Sequence, residues 1–151
     1  MQDDENYRAK VNERHRQVIE LHLRIVEREM AELETFVLSN GEEGILYRVR
    51  NPLSEQVRKE LLAQIGKVRK GIRELKELYN LAVEERDVVP RIRALLSHDW
   101  IVLCETVSKQ LRGFGDPDPE LAKVLDPSVE KLVDVVQEMQ AILRSNDLSK
   151  E

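Results

Sequence analysis

The stretch DENYRAKVNERHRQVIELHLRIVEREMAELETFVL, Asp4 to Leu38, decides the fold, because no residue in it breaks a helix and its apolar positions recur on a helical period. Val11, His15, Val18, His22, Ile25, Glu29, Leu33 and Phe36 follow one another at steps of three and four and so share one face. A second row, Ile19, Val26, Met30, Leu33 and Val37, widens that face to the arc a helix buries in a globular bundle. The first row is taken as the inward stripe. On the other side Arg16, Glu20 and Arg24, and again Arg28 and Glu32, set opposite charges four residues apart as a solvated surface does.

Ser39-Asn40-Gly41 stops this helix, and the next helix opens at Asn51-Pro52, a capping residue followed by proline at the first helical position. Its stripe reads Val57, Leu61, Ile65, Val68, Ile72, Leu75, Tyr79 and Ala82, and Gly71 at the edge of that stripe suggests a closely approaching neighbour helix. The connection 41–51 is long for a bundle, and it carries Ile45, Leu46, Tyr47 and Val49. Alternation of Ile45, Tyr47 and Val49 predicts an extended segment that crosses and caps the bundle end, or else docks a partner.

Asp87 predicts a cap for a third helix with Pro90 in its first turn, reached by a tight turn; one rod kinked at Pro90 is the alternative. That helix is expected over about 88–112, with Val89, Ile92, Leu96, Trp100, Leu103, Val107 and Leu111 inward. A small-residue row of Ala94, Ser97, Ile101, Cys104 and Ser108 lies beside them, and His98 falls on the wetter side. Gly113 to Pro119 is turn chemistry. The repeated signals Asp118-Pro119 and Asp126-Pro127 predict a short helix over 119–125, a kink, and a longer helix over 127–144 with Val129, Leu132, Val133, Val136, Met139 and Leu143 inward. Residues 1–3 and 145–151 are expected to fray. The fold class is therefore all-α: a single domain over 1–151, an up-down four-helix bundle with a kinked fourth helix.

Charged residues make up 35% of the chain and aromatics 4%, which suits long amphipathic helices and disfavours an aromatic-lined substrate pocket. The net charge of -5 disfavours a general nucleic-acid binder, and the lone Cys104 can form neither an internal disulfide nor a zinc site. An acidic start and the lack of a long apolar run point to a soluble, cytoplasmic protein with no membrane association and no cofactor.

Three polar residues on the inward stripe of the first helix, His15, His22 and Glu29, raise the question of a metal. Residues seven apart stand about 10.5 Å apart along the axis, too far for one ion. With Asp99 at the margin of the third helix they are the metal candidates. The reading preferred is that they are polar groups satisfied inside the bundle by partners such as Gln64, Tyr79 and Gln140. Over 48–76 nine basic residues stand against three acidic ones, so Arg48, Arg50, Lys59 and Tyr47 are candidates for docking an acidic partner.

The peptide Tyr47-Arg-Val-Arg-Asn-Pro-Leu-Ser54 resembles the phosphoacceptor box of sensor histidine kinases at Arg50, Asn51, Pro52, Leu53 and Ser54. Tyrosine stands where that box has its histidine, so the resemblance implies no chemistry here. The function expected is a non-enzymatic helical interaction or scaffold module with a protein partner or a second copy of itself. A histidine-using or metal-binding bundle protein, enzyme or phosphotransfer, stands second, and a nucleic-acid-associated protein using segment 48–76 third.

Overall fold

A computed structural model describes residues 11–148 and is mostly helical. The chain divides into two compact units at Glu84/Glu85.

The first unit is a helical hairpin: α1 (Glu13–Leu38), a two-stranded tip of β1 (Glu42–Glu43) and β2 (Arg48–Val49), and α2 (Glu55–Tyr79). Asn12 caps α1 by accepting the His15 amide at 2.8 Å; residues 4–10 of the expected helix lie outside the described part. The seam of α1 consists of Ile19, Leu23, Val26, Met30, Leu33 and Val37, half-buried except for Val37, which is 1% exposed. It runs at alternating steps of four and three, and it packs along α2. Its counterpart on α2 is Leu61, Ile65, Val68, Ile72 and Tyr79, with Ile65 2% exposed and Val57 and Leu75 at the margin.

This corrects the stripe read from the sequence. His15, His22 and Glu29 are exposed, and the second apolar row is the one that packs. Two helical faces satisfied the same spacing, and desolvating two histidines and a carboxylate selects against theirs. Glu20 and Arg24, read as solvent-facing, are instead half-buried.

Asn51 does not cap α2. Ser54 does, accepting the Val57 amide at 3.2 Å. The Asn51 amide donates to the carbonyls of Phe36, Val37 and Ser39 at 3.1, 3.2 and 2.7 Å, and its Oδ1 accepts from the Leu53 amide at 3.1 Å. Carbonyls at the end of a helix have no partner within it, so this one side chain closes α1 and sets the start of α2. The tip beyond it does not cap a core: Ile45 is 100% exposed and Leu46 96%. Both lie in the turn between the strands, where no neighbour crosses them; Tyr47 and Val49 are exposed as well. Gly41 at φ +93 sits against the Val49 carbonyl, where a Cβ would collide at 2.7 Å. Gly71 has open space around it, so no close helix approach accounts for it.

At the other end α2 stops three residues before the expected Ala82. Asn80 adopts the left-handed conformation at φ 51, the Leu81 amide donates to the Lys76 carbonyl at 3.0 Å, and Leu81 folds in to 8% exposure.

The second unit holds α3 (Val88–Cys104), a 3-10 helix (Ser108–Phe114) and α4 (Pro119–Leu148). Asp87 caps α3 as expected, its carboxylate accepting the Val89 amide at 2.9 Å with Pro90 in the first turn. The helix ends at Cys104, short of the expected 112, because the Ser108 amide and hydroxyl are both taken by the Asp126 carboxylate at 2.8 Å. The Thr106 hydroxyl meanwhile donates back to the Val102 carbonyl at 2.7 Å.

The fourth helix runs unbroken through Pro127, so the expected second start is not taken. Asp126 faces Ser108 instead of capping, and Ser128 Oγ donates to the Val124 carbonyl at 3.2 Å next to the position proline leaves without a donor. The helix also continues past Ser145, whose hydroxyl donates to the Ile142 carbonyl at 2.6 Å; residues 149–151 lie outside the described part.

Packing of α4 on α3, with Asp126 held at the end of α3 and Val129, Val133, Val136 and Leu143 buried or half-buried beyond it, makes the pair antiparallel. Val89, Leu96 and Leu103 supply the opposing seam.

Candidate functional site

Hairpin 1 carries a cleft of about 470 Å³ near its open end, between α1, α2 and the segment that follows α2. Three of the charges along it, Glu20, Arg24 and Arg69, are committed to structure. Glu20 Oε1 accepts the Ala82 amide at 2.8 Å, and Arg24 donates to the Ala82 carbonyl at 2.9 Å while standing 3.4 Å from Glu84 and 3.5 Å from Glu20. Together they hold 82–84 against α1. Arg69 reaches across from α2 to Glu34 at 2.5 Å. The arginine hydrogen bond holds the Glu34 carboxyl below its usual range against the opposing effect of desolvation, and the same bond raises Arg69. Among the described residues the lining holds no histidine, cysteine or hydroxyl side chain.

The metal candidates do not converge. His15, His22 and Glu29 are exposed along α1, Asp99 is exposed on α3 in the other unit, and among the described residues no three metal-ligating side chains come together. His98 is exposed and Cys104 is a half-buried free thiol.

The docking candidates occupy the closed end of hairpin 1. Arg48 pairs with Glu43 at 3.4 Å across the strands, Lys59 with Glu55 at 4.0 Å along α2, and Tyr47 donates its hydroxyl to Glu42 at 3.3 Å. Arg50 is exposed just beyond β2. With Arg69 on Glu34 and Lys70 on Glu74, four of the nine basic residues in 48–76 meet a carboxylate within their own hairpin.

Hairpin 2 offers a surface of another kind. Val88, Ile92, Leu95 and Val102 form an exposed strip about 90° round α3 from its packed residues, taking 100° per residue. Val124, Leu132, Val135, Met139 and Ile142 form one at the same offset and in the same rotational sense on α4. For two antiparallel helices that offset turns both strips to the same side, so the hairpin presents a single apolar face two helices wide. Leu95 is 48% exposed and Val135 49%. Leu132 and Met139, assigned inward from the sequence, belong to this face. Ile92 and Trp100, also assigned inward, lie at the margin of the packed seam with Trp100 on its other side. The signal was legible in the spacing, since α4 is apolar over more than half a turn and one neighbour covers half of that.

No family model, no curated protein and no solved structure matches the chain. Among the described residues no helix is long and apolar enough to cross a membrane.

Proposed function

We propose that the protein is a non-enzymatic helical interaction or scaffold module whose working surface is the apolar face of hairpin 2. The observation that supports this reading is the second apolar strip on both α3 and α4, aligned on one side and exposed. A monomeric surface scatters its apolar residues, whereas a contiguous face rimmed by charge marks an interaction site. Two such hairpins set face to face make an up-down four-helix bundle, the architecture expected from the sequence, whether both come from one chain or from two.

Replacing Leu95, Leu132, Val135 and Met139 together by glutamine tests the reading. None of them belongs to the seam between α3 and α4, so an interaction surface predicts unchanged helical content and melting for the monomer, with loss of assembly measured by sedimentation. Unfolding of the monomer would show that the face is interior and end the proposal.

A further inference from the structure

Resting on that reading, we infer that the occupant of the hairpin 2 face is the same face of a second copy, joined by a two-fold axis with α3 of one copy over α4 of the other. The edges of the face favour this pairing. The solvent edge of the α3 strip carries Arg91 and His98, and that of the α4 strip carries Asp134 and Glu138, with Glu105 at the end of the first edge and Lys131 on the second of opposite sign. An isologous contact sets each edge of one copy against the other edge of its partner, so basic meets acidic twice.

The apolar content also matches itself. Nine aliphatic or thioether side chains line the two strips with Asp99 the ionised interruption, whereas the corresponding strip of α1 is broken by His15, His22 and Glu29. A self-contact therefore desolvates fewer polar groups than a contact with that strip would. The 17 residues of α3 give a face about 25 Å long and, two helices across, about 20 Å wide. In plan that is on the order of 500 Å², and with the corrugation of side chains it approaches the ~800 Å² per partner of a standard interface.

Sedimentation of the full chain from micromolar to submillimolar concentration, with circular dichroism on every variant, tests the pairing. The expected result is a monomer–dimer equilibrium in which Leu95→Asp raises the dissociation constant more than about tenfold without loss of helix. Arg91→Glu and Glu138→Arg should each weaken the dimer, and the two together should restore it, a coupling that general destabilisation cannot imitate. A dimer indifferent to Leu95→Asp and to the charge exchange places the contact elsewhere and overturns the inference. A monomer at all concentrations also overturns it, and the melting of Leu95→Asp then separates two cases. Unchanged melting leaves the interaction reading standing with a different partner. Unfolding shows that the face is covered within the chain, and both readings fall.

Discussion

The two hairpins solve one problem with different means. Each packs an apolar seam at alternating steps of three and four, but hairpin 1 is tied at both ends by polar side chains on backbone: Asn51 at the tip, Glu20 and Arg24 at the open end. Outside its seam α1 mixes Val18, Ile25 and Phe36 with His15, His22 and Glu29. In hairpin 2 the Asp126 carboxylate holds the Ser108 amide and hydroxyl, and beyond its seam the hairpin keeps a second apolar strip on each helix. Hairpin 1 is thus fixed at its ends, whereas hairpin 2 leaves an apolar face exposed.

The largest effects should come from the seams. Ile65→Ala and Val129→Ala remove the largest fully buried side chain of hairpin 1 and the most enclosed apolar one of hairpin 2, and a cost of about 3 kcal/mol for the isoleucine and about 2 for the valine is expected from lost burial and the cavity left behind. If the hairpins are independent units, hydrogen exchange will show Ile65→Ala accelerating amides of 13–79 and sparing 88–148, with the reverse for Val129→Ala. Acceleration across the whole chain in both would break the comparison.

The ties come next. Asn51→Ala takes a donor from three carbonyls, of which that of Phe36 keeps the Ser39 amide, and Asp126→Ala frees both groups of Ser108, so each should cost about 1–2 kcal/mol in urea unfolding. Asn51→Asp sharpens the point, since a carboxylate cannot donate to carbonyls and should be as damaging as alanine.

The smallest effect concerns Glu34. Its folded-state pKa lies below the unfolded value because Arg69 bonds the ionised form, so the unfolded chain binds the proton more readily. The pair's contribution is then present above the unfolded pKa of about 4.3 and lost as pH falls through the folded value. Glu34→Gln should flatten that part of the acid limb of the stability curve and leave pH 7 stability little changed, as for any exposed pair. An unaltered acid limb would remove the pair from the ties that distinguish hairpin 1.

Helix existence and the Asp87 cap were legible because they rest on local chemistry: periodicity, and a carboxylate one residue ahead of the first turn. The choice between the two faces of α1 was legible in principle, since Ile19, Leu23, Val26, Met30, Leu33 and Val37 is the row free of ionisable groups. What local reading missed depends on partners distant in sequence. Asn51 reads as a cap until the end of α1 lies beside it, and Asp126 reads as a second helix start until Ser108 reaches it. The exposed apolar face of hairpin 2 was hidden for a related reason: on a helix apolar all round one side, spacing alone does not tell which half its neighbour will cover.

The Asn51 clamp also bears on how this protein tolerates change. Because one side chain joins the exit of α1 to the entry of α2, the excursion from Asn40 to Arg50 is closed at its base and the helices do not depend on what it contains. Each doubling of such a loop adds only about 0.6 kcal/mol of closure entropy. The tip is thus a socket into which a longer strand pair, a recognition peptide or a reporter can be spliced while the register of the helices stays pinned.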